Sequence, residues 1–118
     1  MSQRIIFHFL EDIIEAIEAI ERFVIQMDLE QFQNDEKTIR AVEREFEIIG
    51  EAVKKLPDTV TKNYPTIPWK AIAGIRDRLI HHYWDTEVEI LWKTIEESLP
   101  PFKSSILQII TENQKNNL

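Results

Sequence analysis

The sequence predicts an all-α protein, an antiparallel bundle of four to five main helices. Only two glycines occur in 118 residues, and no Asn-Gly pair is present to form a tight β-hairpin. The longer segments are rich in Glu, Ile, Ala and Lys. Apolar residues recur at alternating spacings of three and four, which is the period of a helix that buries one face.

The first predicted helix covers residues 6–27. Acidic and basic residues lie between its apolar residues, so the apolar side chains form one stripe of the kind that packs on a second helix at a shallow angle. That stripe comprises Ile6, Leu10, Ile13, Ile17, Ile20, Val24 and Met27. Residues 28–34 interrupt the pattern and are expected to connect this helix to the next.

A second helix with a matching stripe is predicted from residue 35 to about Leu56. Asn34 is its candidate N-cap, and Asp35 and Glu36 place negative charge at the positive end of the helix dipole. Pro57 ends the helix because it cannot donate the next hydrogen bond. Matched stripes and a short connection predict an antiparallel hairpin. The second stripe comprises Ile39, Val42, Phe46, Ile49, Val53 and Leu56.

Three further helices are predicted after an irregular stretch or single turn at 58–68. The third helix begins near Pro68, which suits a first turn, and carries inward Trp69, Ile72, Ile75, Leu79 and Ile80. Thr86 opens a capping-box pattern, so a break is expected around 84–85. The fourth helix, about 87–99, buries Val88, Leu91, Trp92, Ile95 and Leu99. Pro100 and Pro101 are expected to stop it, and the last helix buries Phe102, Ile106, Ile109 and Ile110.

Length and composition predict a single domain over residues 1–118, with a flexible tail at about 113–118. Apolar residues make up 43% of the chain and charged residues 30%, which fits a folded globular protein. No cysteine is present, which excludes disulfides and thiolate metal sites. No signal-peptide pattern occurs, and no apolar run approaches the roughly 20 residues of a membrane span. We therefore expect a cytoplasmic protein with no membrane partner.

Charge is distributed unevenly along the chain. Residues 1–61 have a net charge of −7 and residues 85–118 a net charge of −3, whereas residues 62–84 carry +3. The total of −7 argues against a non-specific nucleic-acid binder. The basic segment, however, suits an anion-binding site on an otherwise acidic protein.

Chemically active side chains are concentrated at residues 76–84, Arg-Asp-Arg-Leu-Ile-His-His-Tyr-Trp. His81 is the candidate proton donor or acceptor, because histidine titrates near neutral pH. Arg76 can bind two phosphate oxygens and stabilise the charge that develops on them. Both roles suit phosphodiester cleavage.

Neighbouring residues can support these roles. Asp77 can accept a hydrogen bond from His81 and so select its tautomer, and Tyr83 can hold a phosphate or position a base. Arg78 and His82 are further supporting candidates. A metal site is not expected, because the adjacent imidazoles diverge by about 100° on a helix. The alternative interpretation is that cationic side chains favour the C-terminal end of a helix for its dipole alone.

Helical geometry does not bring the two main candidates together. Arg76 and His81 are five residues apart, which is roughly 140° around a helix axis. Either the helix loosens near His81, or a second copy of the chain completes the site. In a dimer, two facing helices would place two arginines and two histidines around one cleft.

The spacing Arg-x4-His-x-Tyr at residues 76–83 resembles the signature of the HEPN superfamily, specifically the HepT-like toxin ribonucleases of HEPN/MNT toxin–antitoxin pairs. The chain departs from that family at Asp77, where asparagine is frequent. Other similar segments are Leu10–Ile13, Asp35–Thr38, Glu47–Ala52, Ile67–Trp69 and the Leu99-Pro100 stop.

The resemblance implies a HEPN-like helical bundle that forms a homodimer, with the paired motifs at the interface. It implies a metal-independent endoribonuclease toxin that acts on RNA, tRNA being one candidate, with Arg76 and His81 as the catalytic pair. It implies no cofactor and no DNA substrate. Tyr83 corresponds to the tyrosine that a partner nucleotidyltransferase antitoxin modifies with AMP, which silences the toxin. Two alternatives are a non-catalytic dimeric module that partners a nucleotidyltransferase, and a nucleotide-binding helical bundle.

Overall fold

The fold is an all-α bundle, which confirms the predicted class. A computed structural model describes residues 1–80 and 84–116, and these residues form α-helices and one π-helical segment but no strand. The helices are α1 Gln3–Phe23, α2 Leu29–Gln33, α3 Glu36–Lys55, α4 Asp58–Thr61, α5 Trp69–Ile80, α6 Trp84–Lys93 and α7 Leu99–Asn116, with the π segment at Thr94–Ser98.

The core lies between α1, α3 and α7. α1 and α3 make the most extensive helix contact among the described residues, and α5 packs on α3. α7 runs antiparallel to α1, since Gln3 donates to Asn113 at one end and Lys103 pairs with Glu21 at the other. The stripes predicted for the first two long helices are confirmed, because their members inside α1 and α3 are buried: Ile6, Leu10, Ile13, Ile17, Ile20, Ile39, Val42, Phe46, Ile49 and Val53. In α7, Ile106 and Ile109 are buried and Ile110 is half-buried. The prediction for α5 is met only in part: Trp69, Ile72 and Ile75 are half-buried against the core, and the side chains of Leu79 and Ile80 lie outside the described residues.

The connection predicted at 28–34 contains the short helix α2. Asp28 caps it in a reciprocal capping box with Gln31, with hydrogen bonds of 2.8 and 2.9 Å. Phe32 is thereby buried, with its ring 5.1 Å from that of Trp92 in α6. The Asp-x-x-Gln pattern of this capping box is present in the sequence, but the segment is too short to show an apolar stripe, so no helix was predicted here.

The N-cap of α3 is Asp35, and the prediction of Asn34 is wrong by one residue. The Asp35 carboxylate accepts the Thr38 backbone N–H at 3.0 Å, whereas Asn34 ends α2. This backbone hydrogen bond is the main reason that the pKa of Asp35 lies below its usual range.

Replacing Asp35 by alanine is expected to destabilise the protein at neutral pH and progressively less in acid. Because the folded-state pKa of Asp35 is lowered, its stabilisation is present above the unfolded pKa of about 4 and disappears as pH falls through the folded value. Thermal melts of wild type and variant across this range measure the difference. Asp35→Asn is the control, since asparagine caps well without titrating. If Asp35→Ala lowered the melting temperature by the same amount at every pH, the prediction would be contradicted.

Pro100 and Pro101 do not stop the fourth helix, contrary to the prediction. α6, the π segment and α7 follow one another without a gap from Trp84 to Asn116. A proline inside an α-helix clashes with the carbonyl four residues earlier. Here the wider π turn immediately precedes the prolines, and the Leu99 N–H reaches back five residues to the Thr94 carbonyl. The prolines therefore stand in the first turn of α7, where their missing N–H groups cost least.

Other boundaries also differ from the prediction. α1 ends at Phe23 and not at residue 27, so Val24 and Met27 lie beyond it. α6 begins at Trp84, so Thr86 lies in its first turn instead of preceding it. α7 continues to Asn116, within the segment expected to be a tail, and the Asn113 side chain donates to the Ile109 carbonyl at 2.7 Å. Over the described ranges, the helices are all too short or too polar to cross a bilayer.

Candidate functional site

The segment 64–69 anchors the start of α5, the helix that carries the motif. The Trp69 indole donates to the Tyr64 carbonyl at 3.1 Å, and its ring meets Phe102 edge-on at 6.2 Å. Pro68 precedes the helix and its carbonyl accepts the Ile72 N–H at 3.1 Å. The Tyr64 hydroxyl donates to the Glu112 carboxylate at 2.6 Å.

The contact of Tyr64 with Glu112 stabilises the neutral phenol. It is the main reason that the pKa of Tyr64 is raised above its ordinary value. This hydrogen bond joins the segment before α5 to the C-terminal part of α7. The contact of Trp69 with Phe102 joins the first turn of α5 to the start of α7, so α7 holds the N-terminal end of α5 at two points. Tyr64 was not singled out in the sequence, where a lone tyrosine beside Pro65 carries no pattern.

The motif residues fall at the end of α5 and just beyond it. Arg76 lies in the last two turns of this helix, although its side chain lies outside the described residues. His81, His82 and Tyr83 lie outside the described residues entirely. Their predicted roles, and that of Arg76, stay predictions.

Asp77 points toward α3. Its carboxylate lies 3.7 Å from the Lys54 Nζ, and its side chain is 66% exposed. Such an exposed ion pair contributes little to stability. The lysine does, however, offset part of the negative charge that stands next to Arg76 in the sequence. The hydrogen bond from His81 to Asp77 remains a prediction.

Arg78 lies on a different face of α5 and is exposed at the edge of a cleft of about 420 Å³. The cleft lies between α5, the middle of α3, and the π segment with the start of α7. Its walls include the apolar residues Phe46, Ile49, Ile75, Leu99 and Phe102, with Thr66, Glu97, Ser98 and Ser105 among its polar residues.

Sequence reasoning missed this cleft. Glu97 and Ser98 belong to the π segment, which was predicted as ordinary helix ending at a proline stop. The available signal was the pair Pro100-Pro101 following an amphipathic helix, since a widened turn is one way to keep such a helix continuous. π-helical turns occur frequently at functional sites.

Comparison with known proteins identifies the family. A model of the family described as "Ribonuclease HepT-like" matches residues 13–109, which is most of the chain. The chain belongs to the HepT-like ribonuclease family. It is 48% identical over 95 residues to "Probable ribonuclease HepT" of Thermococcus cleftensis, covering 80% of this chain and 86% of that protein.

Other HepT-like relatives are similar over most of their length. The chain is 42% identical over 104 residues to a "Putative RNase" of Methanocaldococcus jannaschii, covering 88% of this chain and 86% of the relative. It is 37% identical over 106 residues to a "Putative RNase" of Caldanaerobacter subterraneus subsp. tengcongensis, covering 90% and 95%. No solved structure matches the chain. The range matched by the HepT-like family includes both α5 and the cleft.

Proposed function

We propose that this HepT-like chain is a metal-independent endoribonuclease and the toxin of a HEPN/MNT-type toxin–antitoxin pair, acting on RNA in the cytoplasm. The observation that carries the proposal is the Arg-x4-His-x-Tyr spacing at residues 76–83, in a chain of a ribonuclease family. Relatives with ribonuclease names, similar over at least 80% of this chain, support the same activity.

The proposed chemistry is an attack by a ribose 2′-oxygen on the adjacent phosphorus. The new P–O2′ bond forms as the P–O5′ bond breaks, which leaves a 2′,3′-cyclic phosphate and a free 5′-hydroxyl. An imidazole of His81 takes the 2′-OH proton or supplies one to the leaving oxygen. The guanidinium of Arg76 binds the non-bridging oxygens, where charge accumulates in the transition state.

A homodimer is part of the proposal because one helix cannot aim both groups at one phosphate. An uninterrupted helix separates Arg76 and His81 by roughly 140°. Two copies of α5 facing each other across a two-fold axis would bring the arginine of one protomer toward the histidine of its partner. Arg76 lies in the last two turns of α5 and His81 follows this helix in the sequence, so a contact between the C-terminal ends of two α5 helices would suffice.

The proposed regulation acts at Tyr83. Transfer of AMP from ATP to its hydroxyl by a partner nucleotidyltransferase, with release of pyrophosphate, would put a bulky anion two residues from His81 and seven residues from Arg76 in the sequence. That adduct would occupy the site meant for RNA phosphate. Mass spectrometry after incubation with a cognate MNT-type nucleotidyltransferase and ATP tests this; an AMP adduct on Tyr83 is expected, and unmodified protein would contradict it.

Incubating the purified protein with RNA in excess EDTA tests the activity. Cleavage that leaves 2′,3′-cyclic phosphate ends is expected, since no step requires a metal. Cleavage only after divalent ions are restored would overturn the metal-independent mechanism. Partner binding without any cleavage would favour a non-catalytic interaction module.

A further inference from the structure

The cleft beside Arg78 has the composition of a ligand site. Its volume of about 420 Å³ falls within the range of small-molecule pockets. Two aromatic residues, Phe46 and Phe102, contribute to its apolar walls and are otherwise buried, with 1% and 7% exposure. The hydroxyls of Thr66, Ser98 and Ser105 are also among the groups that line it. An apolar interior with a few polar groups suits a flat, partly polar molecule.

The position of the cleft relates it to the motif. Arg78 follows Arg76 by two residues on α5, which is about 3 Å along the helix axis and about 200° around it. A nucleotide in the cleft would therefore be a different one from the nucleotide whose phosphate Arg76 holds, bound on another face of the same helix. Arg78 also belongs to the 62–84 segment, which carries the positive charge of an otherwise acidic chain.

We propose that this cleft binds the base of an unpaired nucleotide of the RNA strand that the motif cleaves, with Arg78 contacting that nucleotide's own phosphate; the inference rests on the ribonuclease function proposed above. Proteins that recognise single-stranded RNA splay bases out against aromatic and arginine side chains and hydrogen-bond their edges. The cleft supplies an apolar interior, an arginine at its edge and polar groups for the base edge.

A second copy of the chain fits the cleft less well. Protein interfaces are built around large exposed apolar residues and have few charges at their centre. Among the described residues, the large apolar side chains that are exposed are Met1, Ile5, Phe23, Ile25 and Leu107, and none of them lines the cleft. The cleft instead carries one cation, one carboxylate and several hydroxyls.

Glu97 gives the cleft a base preference. A carboxylate accepts hydrogen bonds from the exocyclic amino groups of bases, as it does from cytosine. Adenine, cytosine and guanine carry such a group and uracil does not. The cleft is therefore expected to disfavour uracil at this position, and Glu97→Gln to weaken that discrimination.

Two neighbouring serines in α7 allow a matched test. Ser105 lines the cleft, whereas Ser104 is exposed and does not line it. Ser105→Leu should fill the cleft and Ser104→Leu should not, although both add the same side chain to the same helix. Ala71→Leu on α5, an exposed position that lines the opposite wall, is the second filling variant if Ser105→Leu lowers the melting temperature.

The readouts are cleavage of short oligoribonucleotides that differ in one flanking base, and binding of a 2′-O-methyl analogue that cannot be cleaved. Ser105→Leu and Ala71→Leu are expected to weaken binding by about tenfold or more, because the added side chain takes the space of one bound base, and to flatten the base preference. Arg78→Gln should weaken binding of every sequence alike, and its control is Arg44→Gln, an exposed arginine in α3. Ser104→Leu should match the wild type.

The outcomes separate this inference from the proposed function. If the wild type cleaves RNA and both filling variants bind and cleave normally, the cleft proposal is wrong while the nuclease stands. If the wild type binds the analogue in a Ser105-dependent manner but never cleaves RNA, the nuclease fails and the base site stands. If Ser105→Leu and Ala71→Leu are monomeric in sedimentation while the wild type and Ser104→Leu are dimeric, a second copy of the chain covers the cleft and the proposal is overturned.

Discussion

His81→Ala is expected to lower the rate of RNA cleavage by about 10²–10⁴, the usual contribution of a positioned acid–base group. Arg76→Ala should cost about 10²–10³, because it removes a charged donor aimed at the phosphate oxygens of the transition state. Arg76→Lys should recover little of this, since an ammonium cannot make the two parallel hydrogen bonds of a guanidinium. Single-turnover cleavage in EDTA measures these rates.

The adjacent imidazole is the internal control for this prediction. His82→Ala removes the same chemical group one residue later, about 100° around a helix, and should change the rate by less than about tenfold. Melting temperatures of all variants should remain close to that of the wild type. Equal cleavage by wild type, His81→Ala and Arg76→Ala would instead reveal a contaminating nuclease, and the proposed function would then have no support from the assay.

Arg76→Ala and His81→Ala proteins, each inactive alone, are expected to recover activity when they form mixed dimers. If each site combines the arginine of one protomer with the histidine of its partner, a mixed dimer has one intact site and one that lacks both groups. Random pairing makes half of the dimers mixed, so the unpurified mixture should regain about a quarter of the wild-type activity and isolated mixed dimers about half. Co-expression with two different affinity tags isolates the mixed dimers.

A second mixture provides the control for dimer complementation. A mixture of Arg76→Ala with the double variant Arg76→Ala/His81→Ala has no arginine at position 76 in either protomer and should remain inactive. Tandem purification first verifies that the mixed species exists. If mixed dimers of the two single variants are pure and inactive, both groups act from the same protomer, and the helix must then loosen near His81 to bring them together.

The helical bundle was predictable from residue pattern because its cause is local and repetitive. Stripes of apolar residues at spacings of three and four predicted the buried faces of α1, α3, α6 and α7 correctly. The capping sites were less predictable. Asn34 and Asp35 are both good N-caps, and only the backbone conformation at the end of α2 decides that Asp35 holds the Thr38 N–H.

The proline pair shows why a strong local rule can fail. Pro100 and Pro101 would break an α-helix, and the sequence alone predicts a stop there. Ile95 and Leu99 before the prolines and Phe102 after them are all buried, which favours one continuous helix packed on the core. The π turn satisfies both demands, because it widens the helix where the proline rings need space.

The sequence by itself determined the all-α class, the buried stripes and the concentration of arginine, histidine and tyrosine at residues 76–83, because these depend on residue type and spacing along one chain. Only the tertiary structure decided that Asp77 meets Lys54 on α3 and that Arg78 borders a cleft. Those contacts join residues more than 15 positions apart. Their geometry depends on how helices cross and on a π turn, neither of which is encoded in any single segment.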